Sequence, residues 1–161
     1  MRDGLLLARY GDRRVLNREI ILIPDLLHAK DLVNVRNVDR TYYVVIGPTY
    51  DPVKNYSSLQ HEYLHVLIDP LVEKFSAQLG ETKKILKLAH SQPQLKKAYR
   101  DSVTLIVTES LIESIALRLR PPSNLGEEML RLLREGSVLV PRFYRERVSY
   151  EEGRMLSFPT Y

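Results

Sequence analysis

The spacing of apolar residues along the chain changes near residue 50, from a pattern typical of strands to one typical of helices. Residues 19–24 (EIILIP) and 41–48 (TYYVVIGP) are rich in β-branched and aromatic side chains and end at proline or glycine-proline, which predicts two strands. The stretch 34–39 (NVRNVD) between them predicts a turn or loop. Residues 4–16, with a Gly-Asp pair in the middle, predict a first hairpin.

After Pro52 the apolar residues recur at helical spacing. A helix over about 58–68 is predicted to begin at a capping box of Ser57 and Gln60, and Pro70 ends it or starts the next helix. Beyond it the pattern predicts further helices, the longest of which ends at a pair of prolines. They cover residues 71–79, 81–91, 94–120, 125–135 and 141–152.

These elements predict the α+β fold class. We expect one domain over residues 1–161, with a small antiparallel sheet in a β-rich part, 1–50, and a mainly helical body over 55–152. No apolar run is long enough to cross a membrane, and the first one is too short for a signal-peptide core. We therefore expect a soluble protein, although a longer secreted parent stays possible and the compartment is not predicted.

The predicted helix 58–68 carries the chain's most specific motif. His61, Glu62 and His65 form the pattern H-E-x-x-H, and half of the chain's four histidines lie in this one turn. Positions i and i+4 of a helix lie one above the other, so both imidazoles reach one point. Glu62 lies about 100° round the helix, as required of a general base beside a zinc site. The alternative is a surface helix with two unrelated histidines.

A catalytic zinc site needs a third protein ligand. Because the chain contains no cysteine, that ligand has to be a carboxylate or a histidine. The candidates are Asp69, Glu73, His90, Glu109 and Glu113.

Among them, Glu109 and Glu113 interrupt a helix that is apolar nearly all round, and a carboxylate on a core-facing stripe needs a cation or strong donors. We predict that Glu109 binds the metal and that Glu113 orients a ligand from behind it. The alternative is that both pair with Arg or Lys, or face solvent.

The pentad HEYLH (61–65), together with a glutamate on a later helix, resembles the gluzincins, the thermolysin-like zinc peptidases. Within them, the chain is similar to the DUF4932 family of bacterial metallopeptidase-like proteins. HEYLHVLIDPL (61–71) and TESLIESIALRL (108–119) carry the resemblance, which covers roughly 40–150. The second segment has Glu113-Ser114 where that family usually has Arg-Ala.

The resemblance implies a zincin-like fold and Zn²⁺ as the cofactor. It implies a peptide or protein substrate bound as an added strand along 41–48, unless that strand lies in the core. It also implies a residue that stabilises the oxyanion beside the zinc. Tyr144 and Tyr150 are the candidates, and Tyr150 is preferred.

We therefore predict a zinc-dependent peptidase that uses a metal-activated water, with Glu62 as general base. One rival is a small intracellular protease that clips a single regulatory protein. Another is an inactive peptidase-like domain that only binds a partner, although Glu62 is intact. The net charge is +4, and many of the arginines lie late in the chain, between residues 131 and 147. Glutamates are interspersed among them, which favours an ordinary solvated surface over a nucleic-acid-binding one. The oligomeric state is not predicted.

Overall fold

The computed structural model describes residues 19–39, 41–49, 51–79 and 83–151, of which residues 37, 52, 54, 55 and 148–151 are described by their backbone alone. The predicted hairpin 4–16 lies outside this part of the chain. The strands are β1 (Glu19–Pro24), β2 (Val33–Val38) and β3 (Thr41–Ile46). The helices are α1 (Pro52–Lys74), α2 (Ser76–Leu79), α3 (Lys83–His90), α4 (Val103–Leu119), α5 (Leu125–Glu135) and α6 (Val140–Glu151), with a 3₁₀ turn at Lys97–Tyr99. The fold is α+β, as predicted.

The sheet is mixed, and the prediction of an antiparallel sheet is wrong in this respect. Its strand order is β1-β3-β2, with β1 parallel and β2 antiparallel to β3. The central strand is therefore β3, whose backbone is paired on both sides. The prediction that 41–48 is an edge open to a substrate strand is wrong, because the edges of the described sheet are β1 and β2.

The stretch 34–39, predicted as a turn or loop, is mostly strand β2. Val38 pairs with Thr41 across a two-residue connection, and Asp39 at its start has φ 53°. A positive φ is what the tight hairpin turns require, and aspartate tolerates it. Pairing with β3 thus outweighs the weak strand propensity of asparagine and arginine.

Two compact units divide the chain, Met1–Leu67 and Ile68–Tyr161. The first contains the sheet and the larger part of α1. The second contains the other helices, with α4 in contact with α6, α3 and the 3₁₀ turn. The single domain over 1–161 stays a prediction. Among the described helices, none is both long and apolar enough to cross a membrane.

Helix α1 begins earlier and ends later than predicted. Its first residue is Pro52, and the Asp51 carboxylate accepts a hydrogen bond from the Val53 N–H at 3.0 Å. Proline suits the first helical position and aspartate the cap before it. Ser57 is no cap, since its hydroxyl donates to the Val53 carbonyl within the helix. Pro70 does not end the helix, which continues to Lys74.

Helix α4 is shorter than the predicted helix 94–120. It begins after Ser102, whose side chain accepts a hydrogen bond from the Leu105 N–H. Its buried residues surround the axis, as expected of a helix in the middle of a core. The predicted ends of α5 and α6 agree within two residues, and Gly136 ends α5 with φ 106°.

We expect Ser102→Ala to lower the free energy of unfolding by about 1 kcal/mol, because the first turn of α4 loses its capping acceptor. Urea denaturation followed by circular dichroism measures the change. Ser123→Ala is the matched control, since Ser123 is exposed in the connection before α5 and its replacement should leave stability nearly unchanged. Equal effects of the two substitutions would contradict the capping role.

Candidate metal centre

The two histidines of the pentad converge as the helical spacing predicts. Their Nε2 atoms lie 3.2 Å apart, and the ring centroids are 4.9 Å apart with an interplanar angle of 69°. Both side chains are half-buried on α1. Helix geometry alone brings the rings together, because one turn separates positions 61 and 65. The pair is therefore arranged to share one small cation or one proton.

Glu109 of α4 belongs to the same group of ligand atoms. One carboxylate oxygen of Glu109 and one nitrogen of each histidine all lie within 4.8 Å of one another. Among the described residues this is the one group of three that could hold a metal ion. Its composition is that of the predicted ligand set, His61, His65 and Glu109.

The other candidates for third ligand lie elsewhere. Asp69 and Glu73 are exposed in the last turns of α1. His90 is exposed at the end of α3, with its Nε2 2.6 Å from the Arg100 carbonyl oxygen. None of the three belongs to a group that could hold a metal in the described part of the chain.

Glu113, predicted to orient a metal ligand, has cations in its surroundings. Burial raises the pKa of its carboxyl group, the positive charge of Lys96 opposes that rise, and the negative charge of Glu109 adds to it. Lys96 itself forms an ion pair with Glu135 at 2.9 Å. These charges favour the alternative in which Glu113 interacts with basic side chains, and its role behind the metal stays a prediction.

The sequence did not single out Tyr99, which is a buried residue whose phenol interacts electrostatically with Glu109 and Glu113. Burial raises the pKa of its phenol, and the negative charge of Glu109 adds to the rise. The ammonium group of Lys96 lies 5.6 Å from the centre of its ring. Tyr99 ends the 3₁₀ turn, in a stretch that the sequence pattern assigned to the long α-helix, and no motif marks it.

The two tyrosines proposed for the oxyanion are both in α6. Tyr144 packs against a core cluster of Leu117, Leu132 and Val140, and the Arg118 guanidinium lies 5.5 Å from the centre of its ring. It is therefore a packing residue. The side chain of Tyr150 lies outside the described residues, so its assignment stays a prediction.

Glu62 lines a cavity of about 300 Å³ between the sheet and α1. The sheet contributes apolar and aromatic side chains from all three strands. They are Ile20, Leu22, Val35, Tyr42 and Val44. Helix α1 contributes residues from the turns before and around the pentad. They are Tyr56, Leu59, Gln60, Glu62, Tyr63 and Val66.

Tyr63 is half-buried in the wall of this cavity. Burial raises the pKa of the Tyr63 phenol, and the neighbouring Tyr42 adds to the rise. Sequence reasoning did not predict the cavity, because its walls combine three strands and one helix that are separated in sequence. The general-base candidate Glu62 thus lies at the border of an apolar space.

The chain matches no family model, and the comparisons with curated proteins and with solved structures gave no match either.

We expect Glu113→Gln to raise the melting temperature by a few degrees at pH 7 and to leave it nearly unchanged at pH 4. The folded-state pKa of Glu113 lies above its usual value of 4.5. As the pH rises from 4.5 through the folded-state pKa, the unfolded chain releases this proton first and stability falls. Glutamine is neutral at every pH, so the variant does not lose this stability. Thermal denaturation of the variant and the wild type at pH 4 and pH 7 measures the difference in melting temperature.

Glu128→Gln is the control, because the pKa of Glu128 is shifted in the direction opposite to that of Glu113. Its hydrogen bonds with Arg131 lower the pKa of Glu128, so its contribution to stability is present above 4.5 and is lost as the pH falls through the folded-state pKa. This variant should be less stable than the wild type at pH 7. A Glu113→Gln variant that is also less stable at pH 7 would mean that attraction to Lys96 outweighs the burial of Glu113.

Proposed function

We propose that the chain is a zinc-dependent peptidase whose metal ligands are His61, His65 and Glu109. The observation that carries the proposal is the convergence of two imidazole nitrogens and one carboxylate within 4.8 Å. Two histidines and one glutamate are the ligand set of catalytic zinc in several peptidases, and three protein ligands leave one position open.

The donor set fits zinc in geometry as well as in chemistry. Zinc–nitrogen bonds of about 2.0–2.1 Å in a tetrahedral arrangement put two ligand atoms about 3.3 Å apart. The separation of the two Nε2 atoms is 3.2 Å. The imidazoles therefore need almost no movement to bind one ion, and a carboxylate oxygen of Glu109 lies within 4.8 Å of a nitrogen of each.

Glu62 is the group that moves protons in this proposal. It follows His61 directly, and its carboxylate accepts a proton from the attacking water and then donates it to the leaving amine. The bound zinc supplies Lewis-acid activation of the water and of the substrate carbonyl. The water oxygen first bonds to the carbonyl carbon, the peptide C–N bond breaks once the amine nitrogen has received the proton from Glu62, and no covalent enzyme intermediate forms.

We expect the purified chain to contain about one zinc ion per molecule by elemental analysis after dialysis against zinc. His65→Ala and Glu109→Gln should lose it, because each removes a ligand. If Glu113 orients a ligand, Glu113→Ala should keep the site with roughly 10- to 100-fold weaker affinity; if Glu113 only interacts with basic side chains such as Lys96, zinc affinity should stay unchanged.

His90→Ala and Glu73→Gln are matched controls, since both residues are exposed and lie outside the ligand group. Both variants should keep the wild-type zinc content. If Glu109→Gln keeps its zinc, Glu109 is not a metal ligand. Wild-type protein without zinc after reconstitution would end the metallopeptidase proposal and favour the partner-binding domain.

We expect the zinc-loaded chain to hydrolyse members of a fluorescence-quenched peptide library, and Glu62→Gln to lower kcat/KM by about 10²–10⁴-fold without loss of zinc. The glutamine keeps the size of the side chain but accepts no proton. Glu73→Gln should retain wild-type activity, and a chelator should abolish it. A fully zinc-loaded Glu62→Gln variant as active as the wild type would exclude Glu62 as the base.

A further inference from the structure

The stretch of chain that precedes α4 contains basic residues and no acidic ones. Residues 82–100 include six lysine and arginine residues and one histidine, but no aspartate or glutamate. The arginine-rich residues 131–147 differ, because glutamates are interspersed among them. In the structure the basic stretch forms α3, the 3₁₀ turn and the connection between the two. Its positive charge is therefore not compensated from within.

Helix α3 directs its apolar side to the core and its lysines to the surface. Ile85 and Leu86 pack against a core cluster that contains Ala89. At about 100° per residue, the lysines of this helix point to roughly the opposite side, and all of them are exposed. They are Lys83, Lys84 and Lys87. The packed side fixes the helix, so the three ammonium groups stay on one face.

The 3₁₀ turn places two more cations beside the end of α3. His90, the last residue of α3, has its Nε2 2.6 Å from the Arg100 carbonyl oxygen. Side chains three residues apart in a 3₁₀ turn lie one above the other, and Lys97 and Arg100 have this spacing and are both exposed. Lys87 lies about 60° round α3 from His90. The lysine face of α3 thus adjoins the turn, and together they form a basic surface of Lys83, Lys84, Lys87, Lys97 and Arg100.

Within the described part of the chain, none of the cations of the basic surface forms an ion pair. Lys96 does not belong to the surface, because it pairs with Glu135 at 2.9 Å. Arg131 pairs with the same glutamate, so that acidic neighbour is already neutralised. Asp101 follows Arg100, is exposed and adds one negative charge. The basic surface keeps a clear excess of positive charge.

The surroundings of these cations favour one class of partner. A helix that lies on a membrane needs a free apolar face, and that of α3 is packed on the core. The separate carboxylates of an acidic peptide gain little from exposed cations. A nucleic-acid duplex gains more, because cations displace the counterions that condense on its closely spaced phosphates. Tyr99 is buried, so it offers no ring on which an unpaired base could stack.

We propose that the basic surface binds the phosphodiester backbone of a nucleic-acid duplex without reading its sequence. Helix α3 has 8 residues and is therefore about 12 Å long. A duplex carries one negative charge per about 1.7 Å of its axis, so about three or four phosphates on the facing side lie within reach. The proposal does not depend on the peptidase, because the basic surface contains none of the proposed metal ligands.

Fluorescence anisotropy of a labelled DNA duplex, titrated with the full chain in a chelating buffer, tests the proposal. We expect the dissociation constant to rise about 40- to 150-fold between about 50 and 200 mM salt, the dependence of three or four phosphate contacts. A second duplex of unrelated sequence should bind equally well. A dissociation constant insensitive to salt, or one that differs more than about tenfold between the two sequences, would overturn the proposal.

Two double variants show whether both parts of the basic surface take part. Lys83→Gln with Lys87→Gln removes two charges from α3, and Lys97→Gln with Arg100→Gln removes two beside the turn. Each should lower the slope of log affinity against log salt by about 2, since each charge accounts for about 1. A slope that changes in only one of the double variants would overturn the joint surface.

Arg142→Gln with Arg145→Gln is the control that loses the same net charge elsewhere. Both arginines are exposed on α6, outside the basic surface. This control should keep the wild-type slope. An equal decrease in the control and in the other two variants would show that only the net charge matters, which would overturn the proposal.

A polyglutamate peptide and vesicles that contain phosphatidylserine represent the competing partners. We expect both to bind the wild type more weakly than the duplex at about 50 mM salt, because neither combines condensed counterions with a rigid row of phosphates. Tighter binding of either one, lost in the Lys83→Gln, Lys87→Gln variant, would assign the surface to an acidic protein or a membrane and overturn the proposal.

Discussion

Two imidazole nitrogens 3.2 Å apart are the constraint on which the proposed site depends. Their lone pairs repel one another unless a proton or a metal ion lies between them. One turn of regular helix imposes the separation, so α1 has to stay helical from His61 to His65. Asp51 caps that helix well upstream. Pro70 interrupts only the hydrogen bond to the Val66 carbonyl, because proline lacks the N–H that residue i offers to residue i−4. The turn that holds the histidines is therefore unaffected by the proline.

The carboxylates of α4 obey a similar constraint. Two glutamates one turn apart on a helix that is otherwise largely buried repel each other, and Glu109 adds to the raised pKa of Glu113. Each negative charge is tolerated only with a positive partner. Lys96 supplies one for Glu113. The histidine pair with a bound metal supplies the other for Glu109 in the proposed site, so metal binding and the burial of these charges support one another.

The sequence predicted the elements whose ends are set by neighbouring residues. It did not predict the elements whose structure depends on contacts with distant segments of the chain. The ends of α5 were predictable because Gly136 adopts the positive φ that ends a helix. The start of α4 was not, because residues 94–102 continue the apolar spacing and Ser102 is a cap only in the folded chain. The strand β2 was misassigned because its neighbours in the sheet outweigh its own composition. Glu109 was singled out because a charge in an apolar helix needs a reason, although sequence supplies no distance to the histidines.

The order of residues in the pentad gains a further meaning from the cavity. An α-helix that packs one face against a sheet leaves its other face for chemistry, and in α1 these faces are roughly half a turn apart. A base that serves both has to lie between them, which restricts it to the flanks of the helix. Glu62 occupies such a flank, next to His61 in sequence and at the wall of the cavity in space. Shifted by one residue toward Tyr63, the carboxylate would lie inside the apolar wall and lose its water. The position that the motif prescribes for the base thus lies where the histidine side of the helix meets the wall of the cavity.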